Sequence, residues 1–310
     1  MRARTLILGA CVLLLLAVPA LAALAQQPYY IDLVRRVMIF AIAAASLNLI
    51  LGYGGLVSFG HAAYLGVGGY AVGILAFYGV HNGWLQWAVA ILASALVALP
   101  IGAISVRTRG IYFIMITLAF TQMLYYLGIS VEEYGGDDGM RLKVKSQFSG
   151  LLDLDNPVSF YYLTLALLLA CIYVVHRLVH SRFGMVIRAA KSNEARTRAV
   201  GFSPYPYQLA AFVISGAMCG LAGALLANHT AYIAPAFMDW TRSGEIMFMV
   251  ILGGMATAPG PALGAFALLV VEDLLSSWTQ HWQVILGPLL VISVIFFRRG
   301  LAGIFSRHDA

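Results

Sequence analysis

The sequence predicts an all-α fold, a polytopic helical bundle in a membrane with about ten crossing helices. Three observations predict it. Charge is scarce, with 10% of the 310 residues charged and 61% hydrophobic, whereas soluble domains carry roughly a quarter charged residues. Mean hydropathy is +0.87, which leaves too little polar surface to solvate a globule. Apolar runs also recur along the whole chain at the length a crossing helix needs, about 20 residues. The net charge of +6 does not point to nucleic acid, because the basic residues sit in short stretches between those runs. Residues 1–310 read as a single transmembrane domain in contact with lipid.

The expected spans are 5–25, 37–52, 54–78, 85–106, 111–130, 160–180, 207–228, 244–258, 261–276 and 284–297. The first has Arg2 and Arg4 ahead of an apolar core. Its Ala20-Leu21-Ala22 and Ala23-Leu24-Ala25 would also suit a signal-peptide cleavage site. A retained first helix is preferred, because the run is long and the remainder is polytopic. Cleavage would place the new amino terminus outside. The second span starts after Arg35 and Arg36, and the third is interrupted by glycines after Tyr53. The fourth and fifth flank Arg107 and Arg109. The loop 131–159 then forms the longest polar stretch, with Gly135-Gly136-Asp137-Asp138-Gly139 reading as a tight turn rather than a calcium loop, since EF-hand spacing is missing. Glycine and proline around Pro259 separate the eighth span from the ninth. Trp84, Trp278 and Trp282 fall at outer span ends, where interfacial aromatics belong.

Sidedness follows from charge. With the amino terminus inside, thirteen basic residues are cytoplasmic, including Arg107, Arg109, Arg177, Arg298, Arg299 and Arg307, against six outside. That distribution obeys the positive-inside rule and puts both termini in the cytoplasm. Arg35 and Arg36 are exceptions. Cys11, Cys171 and Cys219 all lie in apolar runs, without zinc or redox spacing, and read as small apolar fillers.

Chemistry is not expected. The chain has three lysines, none after a glycine, so it lacks a phosphate-binding P-loop. It also lacks H-E-x-x-H and G-x-S-x-G, and no catalytic residue, metal site or cofactor is predicted. Polar residues inside spans are costly and often functional. Those of interest are Asn48, Ser58, His61 and Gln122 as pathway candidates, with Thr117, Thr121 and Asn228 beside them and Glu245, Glu272 and Asp273 nearer span ends. His61 lies amid glycines at 52, 54, 55, 60, 66, 68 and 69. GxxxG spacings at 69–73, 216–220 and 260–264 permit close helix approach. The Gly-interrupted regions 52–73 and 253–264 fall in opposite halves of the chain, a pattern that marks a transport pathway in carriers.

The most informative stretch is 181–206, a basic island between two apolar runs. Arg182, Arg188, Lys191, Arg196 and Arg198 face a single acid, Glu194. Ala189, Ala190, Ala195 and Ala199 alternate with the charges on one short helix that Gly201 can close through a left-handed cap. Two readings fit: a compact knob that another protein grips, or a basic loop that only sets topology.

Four blocks, 46–71, 107–124, 183–225 and 243–266, together resemble the LivM-like permease subunits of branched-chain amino acid ABC importers. They run from SLNLILGYGGLVSFGHAAYLGVGGYA to SGEIMFMVILGGMATAPGPALGAF, in the family's order. The resemblance implies a translocation subunit, not an enzyme, in a bacterial inner membrane. It implies two cytoplasmic ATP-binding subunits, a second related permease and a periplasmic solute-binding protein as partners. The island then becomes the ATPase-coupling segment, with Arg188, Lys191, Asn193, Glu194, Ala195 and Gly201 carried over from the family's coupling loop. Arg196 directly after Glu194-Ala195 and the position of Gly201 depart from the better-known coupling pattern. The same architecture importing urea, amides or another small polar solute is the alternative. A carrier working without ATPases is a further one, against which scarce buried carboxylates argue.

Overall fold

A computed structural model describes residues 2–24, 26–148, 153–296 and 300–305. The chain is an all-α bundle. Its helices are α1 (Arg2–Leu24), α2 (Tyr29–Asn48), α3 (His61–Phe77), α4 (Gly83–Ser105), α5 (Ile111–Ser130), α6 (Pro157–Val179), α7 (Arg182–Ser192), α8 (Glu194–Ala199), α9 (Pro204–Thr230), α10 (Trp240–Gly253), α11 (Gly260–Trp278), α12 (Trp282–Phe296) and α13 (Leu301–Phe305). Among the described residues, six helical stretches are long and apolar enough to cross a membrane: Tyr29–Tyr53, α4, α5, α6, α9 and α11. Three more of the expected spans overlap shorter apolar helices, at Leu13–Ala22, His61–Phe77 and Trp282–Ile292, while the expected span 244–258 overlaps α10, a helix of 14 residues.

Helix α2 is the axis of the bundle. Every residue from Val37 to Gly54 is buried, as expected of a helix that is apolar all round. It packs against α6, α9, α10 and α11, while α3 and α4 pack on α9. Small residues set the spacing of these helices. A Cβ on Gly223 of α9 would stand 1.9 Å from the Leu65 carbonyl oxygen of α3. One on Gly264 of α11 would stand 1.8 Å from the Met249 oxygen of α10. Of the GxxxG pairs, Gly216 and Gly220 face Ala98 and Ser94 of α4, and Gly260 and Gly264 face α10. Helix α5 is the opposite case, burying only Phe113, Thr117 and Thr121.

Several boundaries differ from expectation. Helix α2 starts at Tyr29, ahead of 37, because its charges find partners within the bundle. Arg35 pairs with Asp32, donates from Nε to His229 Nδ1 at 2.9 Å, and stacks 4.6 Å from the Phe160 ring. Arg36 pairs with Glu272 at 3.2 Å. These pairs account for the two exceptions to the charge rule. The third expected span is helical only over α3, and the last part of the eighth is loop. The single short helix expected in the basic island is two helices, parted at Asn193, whose extended backbone (φ −161°, ψ 105°) interrupts the turn. Arg298, Arg299 and Arg307 lie outside the described residues, as do the side chains of Arg2, Arg4 and Cys11. Cys171 and Cys219 are free and buried.

The polar loop folds back onto the bundle. Strand β1 (Met140–Arg141) pairs antiparallel with β2 (Tyr232–Ile233) just after α9. Asn228 anchors the loop by accepting from the Ser146 amide at 2.8 Å. The Asp137–Asp138 turn is closed by glycines with positive φ at 135, 136 and 139, and Tyr232 Oη donates to the Asp138 carbonyl at 2.6 Å. Among the described residues, no group of three or more His, Cys, Asp or Glu could hold a metal ion.

Candidate functional site

Two interrupted helices meet in this bundle, and the basic island sits against one of them. The first interruption follows α2, which widens into a π-helical turn over Leu49–Tyr53 and runs on as non-helical chain to Gly60. Backbone groups in an apolar interior need partners, and hydroxyls supply them here. Phe59 donates its N–H to Thr117 Oγ1 at 3.2 Å, and Thr121 Oγ1 donates to the Phe59 carbonyl at 2.9 Å. Ser58 Oγ accepts from the Gly60 amide at 3.0 Å, and Ser243 Oγ of α10 accepts from the Ala62 amide at 2.9 Å.

The second interruption, 254–259, parts α10 from α11. Gly254 and Ala256 there have φ of +114° and +59°. Asn48 bridges the two. Its Oδ1 accepts from the Ala256 amide at 3.0 Å, and its Nδ2 donates to the Thr257 carbonyl at 2.9 Å. Only glycine fits beside that bridge, since a Cβ on Gly52 would lie 2.0 Å from Asn48 Oδ1 and 2.5 Å from the Ala256 nitrogen.

The other pathway candidates are placed differently. His61 is fully buried at the start of α3. Its Nε2 lies 2.7 Å from Ser215 Oγ, whose proton goes to the Ser46 carbonyl at 2.5 Å, so Nε2 is the donor to that oxygen. His61 therefore ties α3 to α9 and α2. Ser58 is fully buried and Gln122 half-buried, the latter without a side-chain hydrogen bond among the described residues.

The knob is built by local rules. Ser181 caps α7, and Val186, Ile187 and Ala190 turn inward while Arg188 and Ala189 face out. Asn193 caps α8 by accepting from the Arg196 amide at 2.9 Å. Gly201, at φ +94°, closes α8. Its amide donates to the Arg198 carbonyl at 2.9 Å, and the Phe202 amide donates to the Thr197 carbonyl at 3.2 Å, the paired bonds of a Schellman cap. Ala195 and Arg196 are exposed.

Glu194 faces inward. Its side chain is 12% exposed, paired with Arg109 of the α4–α5 turn and with Arg198 at 2.6 Å. Lys191 Nζ donates to the Gly52 carbonyl at 2.6 Å. A cavity of about 350 Å³ lies beneath the knob, lined by Gly54, Gly55, Arg109, Lys191, Asn193 and Glu194 among others. A larger groove, about 940 Å³, runs along its outer side past Met185, Val200, Phe202 and Tyr207. Met185, Val200 and Phe202 are each about half exposed or more.

Asn48 and Lys191 are thus joined through Gly52, and Glu194 is held by Arg109. Sequence reasoning missed Arg109 as the partner of Glu194, as well as Ser215 and Ser243. Each is a common residue in its run, and no spacing links it to its partner.

The model of the branched-chain amino acid transport system permease component matches residues 29–294. The chain is 28% identical to the high-affinity branched-chain amino acid transport permease LivM of Salmonella typhimurium, over 87% of this chain and 69% of that one. It is 25% identical to a probable LivM of Methanocaldococcus jannaschii, over 83% of this chain and 85% of that one. It is 22% identical to the LivH permease of Escherichia coli, over 85% and 91%. No solved structure matches the chain.

Proposed function

The chain belongs to the permease family of branched-chain amino acid transport systems, and we propose on that footing that it carries leucine, isoleucine and valine inward as one subunit of an ATP-driven importer. Its translocation partner is a second, LivH-like permease, since both LivM and LivH relatives match over most of its length. Two cytoplasmic ATP-binding subunits drive the cycle, and a periplasmic binding protein delivers solute. The chain is a single permease domain in the bacterial inner membrane with both termini cytoplasmic.

The observation that carries the reading is the knob with its groove. A soluble-facing protrusion with Met185, Val200 and Phe202 uncovered is a surface that needs a partner, and the family supplies one in the ATPase. Arg188, Arg196 and Ala195, exposed beside the groove, would meet it. Closure of the ATPase dimer on ATP then pushes α7 and α8. Asn48 and Ser58, in or beside the interrupted segments, stand where irregular backbone is supported by surrounding protein, as at the solute sites of other carriers.

The test is co-expression with the candidate ATPases, second permease and binding protein, followed by purification and reconstitution. ATP inside-facing vesicles should accumulate radiolabelled leucine only with all components present. Leucine uptake by the lone chain without ATP would refute the importer reading.

A further inference from the structure

Lys191 occupies a position that an ordinary surface lysine does not. Helices end with carbonyls that lack partners in their own turn, and the negative end of the helix dipole favours a cation there. The π-helical turn after α2 ends in this way, and the Gly52 carbonyl takes the Lys191 ammonium at 2.6 Å. The lysine stem is threaded against Gly55, where φ is +71° and an added Cβ would meet Lys191 Cγ at 2.9 Å. Both glycines thus make room for this one side chain or its bonds. Lys191 forms no ion pair among the described residues.

Gly52 is also wedged between Asn48 Oδ1 and the Ala256 nitrogen. Movement of Gly52 along the Lys191 bond therefore displaces the Asn48 bridge, and with it the loop 254–259 between α10 and α11. The cavity beneath the knob, between Lys191, Asn193 and Glu194 on one side and Gly54, Gly55 and Leu56 on the other, gives the knob space to move toward the first interruption. A displacement of the knob reaches both interruptions through one lysine, one glycine and one asparagine.

We propose that Lys191 is the positioning residue that transmits knob movement to the paired helix interruptions, through the Gly52 carbonyl and the Asn48 bridge to Ala256 and Thr257. The inference rests on the importer reading for its role in transport, while the physical linkage it names is a property of the isolated chain.

Two substitutions separate transmission from simple capping. Lys191→Met keeps an apolar stem on Gly55 and removes the ammonium; Lys191→Arg keeps a cationic donor. In proteoliposomes holding the full complex, with radiolabelled leucine as probe, Lys191→Met should lower leucine imported per ATP hydrolysed by about tenfold, the scale of one lost charge-assisted hydrogen bond. Lys191→Arg should restore that ratio to within about threefold of wild type. A wild-type ratio in Lys191→Met, or an equal deficit in Lys191→Arg, would overturn the proposal. Amide hydrogen exchange on the full-length permease alone gives a readout that needs no transport. Lys191→Met should speed exchange at Ala256 by several-fold, although that amide is bonded to Asn48 and not to the lysine. Unchanged exchange at Ala256 would also overturn the linkage. Failure of the wild-type complex to use ATP would instead count against the importer reading and leave the exchange result to decide this one.

Discussion

Reversing the charge at Glu194 should weaken docking of the ATPase proposed above by deforming the knob, not by deleting a contact. Glu194 is 12% exposed, but its partners Arg109 and Arg198 are 66% and 63% exposed, so water screens both pairs. Each is then worth about 0.5 kcal/mol, toward the middle of the range for exposed pairs. Glu194→Gln should cost about 1 kcal/mol for the two together. Glu194→Arg replaces two attractions with two repulsions of similar size, a swing of about 2 kcal/mol, or roughly thirtyfold in the equilibrium that holds α8 against the α4–α5 turn. The assay is co-purification with the ATPase partners across a salt series. Binding by Glu194→Arg should fall by that factor at low salt, and the gap from wild type should shrink as salt rises. The decisive variant combines Glu194→Arg with Arg109→Glu, which rebuilds the inner pair with its signs exchanged. Restored binding, to within about fivefold of wild type because the repulsion from Arg198 remains, means that the carboxylate acts inside the knob. If the double variant binds no better than Glu194→Arg alone, Glu194 contacts the ATPase directly and the inward reading is wrong.

Much of the bundle was legible because burial in a membrane leaves long apolar runs that no soluble element needs. The span 111–130 coincides with α5, whose polar flanks Arg109 and Glu132 mark its limits. Gly201 was legible as a cap because a left-handed residue at a helix end is a local requirement, and it is met there at φ +94°. Two regions, 52–73 dense in glycine and 253–264 rich in glycine and proline, also announced that helices would be interrupted. Their meeting was not announced. Asn48 reaches a loop more than two hundred residues along the chain, and a contact of that kind leaves no period or spacing to read. The same limit hid the true start of α2, since Arg35 and Arg36 look like loop residues until His229 and Glu272 are placed beside them. It also hid the direction of Glu194. A lone acid among five basic residues invites the idea of an exposed recognition point, but Arg109 draws it inward from another loop. In each case the sequence shows the charged or polar group, and only the fold shows what neutralises it.

Three further outcomes follow from the geometry. Asn48→Ala unpairs the Ala256 amide and the Thr257 carbonyl; because that loop is partly exposed, the cost should sit near 1 kcal/mol per bond. It should appear as a lower melting temperature in detergent and faster exchange at Ala256, and an unaltered Ala256 would refute the bridge. His61→Leu should reduce the amount of folded permease while leaving the KM for leucine unchanged per folded molecule, since the imidazole is fully buried and bonded to Ser215. A raised KM would place His61 on the pathway after all. The last concerns the first helix, expected either to be retained or to be cleaved. Pro19 lies inside α1 and has no N–H to give the Leu15 carbonyl four residues earlier. Tyr161 of α6, itself fully buried, donates its hydroxyl to that carbonyl at 2.7 Å. Each group supplies what the other lacks. Removing residues 1–25 would leave the Tyr161 hydroxyl facing lipid or a void, at about 1–3 kcal/mol, and would uncover the face of α6 that α1 covers. The intact mass of permease purified from membranes should therefore include α1, and Tyr161→Phe should destabilise it by about 1 kcal/mol. A mature mass lacking the first 25 residues, in protein that still transports, would show that α6 does not need this partner.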